Sequence, residues 1–272
     1  MKMANLTQLK ILEGLDGFLL VDKPVNIPFA SVIKTVKRMF GLVKVGHGGS
    51  LDAQSSGLMV LLIGDANKFT DQVMGGDREY EGTLDFSYVT NTGDSQGEKC
   101  GSRSVECGDK CGSRSVECGV KEDKDFNNPS LLTPNSSLHT SVTPNSSLLA
   151  NFKGDVFQTE PKFAAIRKEG TAEYEVVDTG EHKQFLGHVY KIEVRRKSEE
   201  VRSAEYDFYL KATKNVLPRA LALDMGATLT SLRRVRQWKF ELKDAVPFDK
   251  ILNTSPADFA SLVLPVGAAL RA

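Results

Sequence analysis

Apolar and polar positions along the chain form short blocks whose spacing predicts both strands and helices. Residues 17–21 and 58–63 are continuous apolar runs, which are typical of buried strands. Residues 31–40 carry apolar side chains three and four positions apart. This spacing predicts a helix, with Ser31 as its N-cap and Gly41 as its stop.

The later blocks are less regular, and their order indicates the fold class. They predict, in chain order, a helix at 65–74, a strand at 78–88, strands at 189–194 and 206–210, a helix at 217–229, and a basic strand or strand pair at 231–242. Strands and helices are mixed without a regular alternation. This pattern favours an α+β fold with a mainly antiparallel mixed sheet and flanking helices.

Residues 98–150 break this pattern with two tandem repeats. A segment that begins at Lys99 recurs after 11 residues, and one that begins at Thr133 recurs after 10 residues. The repeats contain all four cysteines of the chain, which are Cys100, Cys107, Cys111 and Cys118. A zinc site remains an alternative, but the spacing lacks a Cys-x-x-Cys pair. We expect a low-complexity surface insertion with free thiols, as in a reducing compartment.

Composition and charge narrow the class of protein further. The chain has 272 residues, of which 40% are apolar and 26% charged, and its 35 basic and 35 acidic residues cancel. This balance excludes a polycationic protein but permits a local nucleic-acid-binding face. The sequence predicts no transmembrane helix, secretory signal or transit peptide, and therefore a cytoplasmic protein. We expect one domain over residues 1–272, with no further C-terminal module, and a monomer.

The loop at residues 45–57 holds the strongest candidate chemistry. It surrounds His47 and Asp52 with four glycines and three serines. Glycines let a ligand approach the backbone closely, and Asp52 could serve as a nucleophile or base. Asp52 could equally be a turn residue that binds nearby N–H groups.

Seven further segments join this loop in an ordered series. In chain order, the eight segments are Gly17-Phe-Leu-Leu-Val-Asp-Lys-Pro24, Gly46-His-Gly-Gly-Ser-Leu-Asp52 with Gly57, Gly64-Asp-Ala-Asn-Lys-Phe69, Arg78-Glu-Tyr80, Thr90-Asn-Thr-Gly-Asp94, Phe152-Lys-Gly-Asp-Val-Phe-Gln158, Ala212-Thr-Lys214 with Arg219, and Leu232-Arg-Arg234. The series resembles the TruB family of tRNA pseudouridine synthases. The likeness covers residues 14–98 and 151–242 in the family's order.

The resemblance implies a pseudouridine synthase-like catalytic core that isomerises a T-loop uridine of tRNA with base flipping. It implies Asp52 as the nucleophile, Arg219 as its partner, and Tyr80 as the aromatic that stacks on the flipped uracil. His47, Leu217 and Leu232 fall at substrate-binding positions. The resemblance implies tRNA as the partner, and it implies no cofactor and no metal.

Several of these residues also have plain structural interpretations. Arg219 could pair with Asp224, Tyr80 and Leu232 could be core residues, and His47 could be a turn residue. Exposed basic residues at 34–44 and 233–239 could either hold phosphates or form a solvated surface.

The chain also departs from the family pattern. Leu217 stands where the family has a tyrosine, and Asn91 stands where it has an aspartate. A non-catalytic RNA-binding or tRNA-folding protein on the same scaffold is therefore the alternative.

We expect the repeat insertion to be dispensable for folding. Deleting residues 99–147 should leave a soluble protein with an unchanged melting temperature, because the segment is too poor in apolar residues to contribute to the core. Circular dichroism and thermal melting of the deletion variant check this. Loss of soluble protein would mean that the repeats are structural.

Overall fold

A computed structural model describes residues 12, 14–100, 152–159, 163–168, 171–176, 184–198 and 204–271, with only the backbone at 159, 163–168 and 171–176. The strands are β1 (Gly17–Lys23), β2 (Val45–His47), β3 (Ser56–Ile63), β4 (Arg78–Asp85), β5 (Val89–Thr90), β6 (Lys99–Cys100), β7 (Gly154–Thr159), β8 (Phe163–Lys168), β9 (Thr171–Val176), β10 (Gln184–Arg196), β11 (Glu205–Ala212), β12 (Thr228–Gln237), β13 (Phe240–Glu241), β14 (Val246–Pro247) and β15 (Leu264–Pro265). The helices are α1 (Phe29–Met39), α2 (Thr70–Gly75), α3 (Pro218–Asp224), α4 (Phe248–Leu252), α5 (Pro256–Leu262) and α6 (Val266–Arg271), with 3₁₀ turns at Gly64–Phe69 and Leu242–Asp244.

One large mixed sheet organises the described part of the chain. Its strands follow the order β14-β1-β3-β12-β4-β11-β10-β7, with β2, β13 and β15 attached at its sides. The β1–β14 and β3–β12 pairs are parallel, and the other pairs in this sheet are antiparallel. The predicted α+β class with a mainly antiparallel mixed sheet is therefore confirmed.

The two apolar runs form β1 and β3, which are buried on both faces. One face packs against α1, α4 and α5 through side chains such as Val36 and Phe259. The other face packs against α2, β13 and α6 through Phe18, Phe240 and Ala269. Burial on both faces explains why these strands read as continuous apolar runs.

The other half of the sheet is covered mainly on one face. Alternate residues of β4, β11 and β12 face a core shared with α3, and Leu84, Leu210 and Leu232 belong to it. Loop residues on both sides of α3, such as Val216 and Ala227, complete this core. The sheet therefore holds α3 against β12, next to the loop that carries Asp52.

Two predicted helix boundaries were wrong. The helix expected at 217–229 ends at Asp224, because Gly226 takes a left-handed φ of +72° and the chain then extends into β12. The helix expected at 31–40 begins at Phe29, and its N-cap is Pro28 rather than Ser31. The Pro28 carbonyl accepts hydrogen bonds from the backbone N–H groups of Ser31 and Val32.

A third prediction was correct in position but not in helix type. The segment expected at 65–74 divides into a 3₁₀ turn and α2. The strands expected at 189–194, 206–210 and 231–242 are present as β10, β11 and the β12–β13 pair.

The predicted insertion falls almost entirely outside the described residues. Lys99 and Cys100 are described, and they pair with Thr90 and Val89. Cys100 is disulfide-bonded, so the expectation of free thiols was wrong for this residue. Among the described residues, every helix is too short or too polar to cross a membrane.

Replacing Gly57 with alanine should destabilise the protein. Gly57 has a φ of +98°, and a Cβ there would lie 2.4 Å from the Arg234 carbonyl oxygen of the paired strand β12. We expect Gly57→Ala to lower the free energy of unfolding by at least about 2 kcal/mol, measured by denaturant titration. Gly75→Ala is the control, because no atom lies within 4 Å of its added Cβ. Equal effects at the two positions would contradict this account of Gly57.

Candidate active site

Asp52 lies in the loop that joins β2 to β3. Since these strands are antiparallel neighbours, the loop must turn back sharply. It is held at both ends, where the Gly48 N–H donates to Val60 O at 2.8 Å and the Ser55 N–H donates to Asp52 O at 3.1 Å. The Asp52 side chain is 32% exposed. Its carboxylate is therefore fixed by the loop yet accessible to a ligand.

The buried ammonium group of Lys23 binds backbone carbonyl groups in this loop and in the segment after β1. It donates to the carbonyl oxygens of Pro24 at 2.8 Å, Ile27 at 2.8 Å and Ala53 at 3.1 Å. Burial lowers the pKa of Lys23 to about 8, although the nearby Asp52 charge opposes this shift. Because 8 lies below the ordinary value of 10.5, the Lys23 contribution to the free energy of unfolding increases as the pH rises between these two values.

A second buried cation, Arg234, also binds backbone carbonyl groups in and next to this loop. Its Nε donates to Leu58 O at 2.7 Å and its Nη1 donates to Ser50 O at 3.2 Å. Burial lowers the pKa of Arg234, while the Tyr80 hydroxyl and the Asp52 carboxylate oppose that effect. Tyr80 lies opposite Arg234 in the register of the β4–β12 pair. Gln237, also fully buried, donates from Nε2 to the Gly48 carbonyl.

The Asp52 carboxylate forms an ion pair with Arg219. The Arg219 Nε lies 3.2 Å from Asp52 Oδ2, and its Nη1 lies 3.6 Å from Asp94 Oδ2. Arg219 is the second residue of α3, so its guanidinium is placed by the start of that helix. The alternative partner considered from the sequence was Asp224, but the structure pairs Arg219 with two carboxylates distant in sequence.

A turn at residues 90–98 places Asp94 beside Arg219. Asp94 Oδ1 accepts hydrogen bonds from the Thr92 hydroxyl at 2.8 Å and from the Gln96 N–H at 3.0 Å. The Asn91 side-chain oxygen accepts from the Glu98 N–H at 3.0 Å. An aspartate oxygen could accept the same hydrogen bond, so Asn91 stabilises this turn in the same way although it departs from the family pattern.

Tyr80 and Leu232 lie on the sheet beside Arg234. Tyr80 of β4 pairs in register with Arg234 of β12, and both Tyr80 and Leu232 are almost fully buried in the same core. Leu232 also borders a cavity of about 680 Å³ that Arg233, Glu81 and other residues line. Tyr80 lies opposite Arg234, and Arg234 connects it to the loop that carries Asp52. Leu232 occupies a core position, which is the plain structural interpretation that its sequence allowed.

His47 ends β2 and leads into the Asp52 loop. Its Nδ1 accepts a hydrogen bond from the Gly49 N–H at 3.2 Å, and its ring lies edge-on to Phe29 at 5.2 Å between centroids. Burial lowers the pKa of His47. This shift favours the neutral ring, and a neutral ring that accepts at Nδ1 carries its proton on Nε2.

The basic segments predicted to hold phosphates differ from each other. Lys34, Lys37 and Arg38 on α1 are exposed, as a phosphate-binding role requires. Arg234 is fully buried, so the prediction was wrong for this residue. Arg233 pairs with Asp22 at 2.7 Å and Arg236 with Glu79 at 3.5 Å, so both face carboxylates.

Sequence reasoning missed four residues that hold this site together: Lys23, Asp94, Arg234 and Gln237. Lys23 and Asp94 were visible inside the quoted motifs, although no role was assigned to them. Arg234 looked like one member of an exposed basic run. Successive side chains of a strand point to opposite faces, and Arg234 occupies an inward-facing position opposite Tyr80. Only this position could have indicated that Arg234 is buried.

Comparisons with known proteins found relatives in sequence and in fold. The family model described as TruB family pseudouridylate synthase (N terminal domain) matches residues 37–114. tRNA pseudouridine synthase B of Opitutus terrae is 29% identical over 261 residues, which cover 93% of each chain. tRNA pseudouridine synthase B of Burkholderia pseudomallei (strain 668) is 29% identical over 94% of this chain and 76% of its own length.

A solved structure shows the same fold. It is the crystal structure of a Cbf5-Nop10-Gar1 complex, matched with a TM-score of 0.57 and 16% sequence identity over 96% of this chain. The match spans 63% of the length of that neighbour. The described fold is that of a pseudouridine synthase-like core. The sequence is similar to the TruB family of pseudouridylate synthases over residues 37–114, and to tRNA pseudouridine synthases B over most of its length.

Replacing Lys23 with methionine should destabilise the Asp52 loop. The variant leaves three buried carbonyl oxygens without their donor, so we expect the free energy of unfolding to fall by about 3 kcal/mol in denaturant titrations at pH 7. Lys68→Met is the control, because Lys68 is exposed and pairs with Asp65 at the surface. If both variants unfold alike, the buried contacts of Lys23 do not stabilise the protein.

Proposed function

We propose that this protein isomerises a T-loop uridine of tRNA to pseudouridine, with Asp52 as the nucleophile. The observation that carries the proposal is the ion pair between Asp52 and Arg219, in a loop whose backbone is held by buried cations. A carboxylate must be ionised and accessible to attack, and an adjacent guanidinium favours the charged form. Similarity to the TruB family supports the reaction class.

The reaction moves a glycosidic bond from a ring nitrogen of uracil to a ring carbon. No atom is gained or lost overall, and the reaction needs neither an oxidant nor a reductant. Asp52 attacks C1′ of the ribose while the C1′–N1 bond breaks, so that the uracil is detached. The base then turns, C5 attacks C1′ and the carboxylate leaves, after which C5 loses its proton and N1 gains one. Such a step requires a target base outside the stacked RNA, so the enzyme must flip the nucleotide into its site.

The surrounding residues fit this scheme. We infer that Tyr80 stacks on the flipped base, and that Leu217 and Leu232 line its pocket. His47, held neutral by burial, offers the Nε2–H as a donor to the displaced nucleotide. The exposed basic residues of α1 are placed to contact phosphates of the RNA backbone.

We further propose that residues 1–272 act as one catalytic domain and as a monomer. Residues 98–150 would be a low-complexity repeat insertion within that domain. A tRNA substrate is consistent with a cytoplasmic enzyme.

A second function is favoured by one departure. Leu217 supplies no hydroxyl at the position where the family has a tyrosine. A protein that binds tRNA and assists its folding without isomerising it would tolerate this loss.

Asp52→Asn tests the proposal directly. The substrate is an unmodified tRNA transcript, and pseudouridine is mapped at single-nucleotide resolution. We expect product at a T-loop uridine with the wild-type protein, and a rate at least about 1000-fold lower with Asp52→Asn. Binding of the tRNA should persist in the variant and weaken as salt is raised, since phosphate contacts dominate affinity.

Asp65→Asn is the matched control, because Asp65 is an exposed carboxylate that pairs with Lys68. It should leave the rate unchanged. Activity that survives in Asp52→Asn would contradict the nucleophile assignment. Salt-sensitive tRNA binding without product from the wild-type protein would favour the second function.

A further inference from the structure

The buried side chain of Gln158 makes two hydrogen bonds to one backbone unit. Gln158 lies on β7 and is only 2% exposed. Its Oε1 accepts from the Leu217 N–H at 2.7 Å, and its Nε2 donates to Leu217 O at 3.4 Å. The side-chain amide of Gln158 therefore binds both the N–H and the carbonyl of Leu217, which lies 59 positions away along the chain.

Leu217 is the N-cap residue of α3, which makes this contact important for the helix. The N-cap side chain makes no capping hydrogen bond, and Pro218 follows it. The Leu217 carbonyl also accepts the helical bond from the Leu221 N–H at 3.0 Å. Because capping side chains normally fix a helix start, the amide of Gln158 replaces that local support with support from the sheet.

The segment before α3 is attached to the same pair of strands. The Thr213 N–H donates to His188 O at 2.9 Å, and the Asn215 side-chain amide donates to Leu186 O at 3.1 Å. His188 and Leu186 lie on β10, the partner of β7. The approach to α3 is therefore fixed by the β7–β10 pair, and Gln158 is its last point of attachment before Arg219.

We propose that Gln158 is a positioning residue that acts through the Leu217 backbone to hold Arg219 against Asp52. The proposal rests on the proposed function, because it assigns Gln158 a part in that same reaction. Arg219 comes two residues after Leu217, and its Nε lies 3.2 Å from Asp52. A small shift of the helix start would lengthen this ion pair, and misplacement by about 1 Å can cost about 100-fold in rate.

This contact also accounts for the departure at Leu217. Gln158 binds the backbone N–H and carbonyl, which are the same whatever side chain occupies the position. Replacing tyrosine with leucine therefore leaves the placement of Arg219 intact, although it removes a hydroxyl from the site.

Gln158→Met tests the proposal, since methionine has a similar length but cannot make either hydrogen bond. We expect the single-turnover rate on tRNA to fall by about 10- to 100-fold, while the Kd for tRNA changes by less than about twofold. Gln158→Glu keeps an acceptor for the Leu217 N–H and should show a smaller loss. Gln184→Met, at an exposed position of β10, is the control and should keep the wild-type rate.

A double variant separates positioning from general destabilisation. If Gln158 acts through Arg219, Gln158→Met should add little to the loss caused by Arg219→Lys alone. Losses that multiply would overturn the proposal, because they would mean that Gln158 acts independently of Arg219.

Amide hydrogen exchange provides a readout that needs no activity. In Gln158→Met the amides of α3, including that of Leu221, should exchange faster, while those of β3 stay protected. Unchanged exchange in α3 would overturn the positioning role. If the wild-type protein makes no pseudouridine, the proposed function fails, but this measurement still decides whether Gln158 holds α3.

Discussion

Lys23 and Arg234 are two cations enclosed within the fold, and the geometry of the candidate site depends on how their burial is compensated. Removing a charged group from water costs several kcal/mol unless polar groups replace the lost hydration. Here backbone carbonyls replace it, and some of them belong to the loop that carries Asp52. The same contacts that make the buried cations tolerable therefore fix the loop, and they place positive charge around its carboxylate.

Gly57 shows how closely the strands must approach for this arrangement. It lies in register between Lys23 of β1 and Arg234 of β12. A side chain here would collide with the β12 backbone. The absence of a Cβ lets the parallel β3–β12 pair form, and that pair brings Arg234 to the Asp52 loop. The missing Cβ of Gly57 thus determines where the charge of Arg234 lies.

The pattern of apolar and polar residues predicted those strands and helices that are defined by which of their own faces are buried. The apolar runs of β1 and β3 and the amphipathic spacing of α1 were sufficient, because burial of those faces is what defines these elements. The extent of α3 was mispredicted, since the chain reverses at Gly226 in a left-handed conformation that the apolar spacing does not reveal. Arg234 was mispredicted because its burial depends on carbonyl groups of the Asp52 loop and of β3, which lie more than 170 residues away in sequence.

The candidate site combines side chains whose identity matters with contacts that depend only on backbone shape. Asp52 and Arg219 belong to the first kind, and motif reasoning found both of them. Lys23 and Gln158 belong to the second kind, since each binds main-chain groups of another residue. A substitution such as Leu217 changes the side chain but not the backbone unit that Gln158 holds. Departures from a family pattern are therefore best judged by the atoms through which each position acts, and at Leu217 the atoms that Gln158 binds are backbone atoms that any side chain would leave in place.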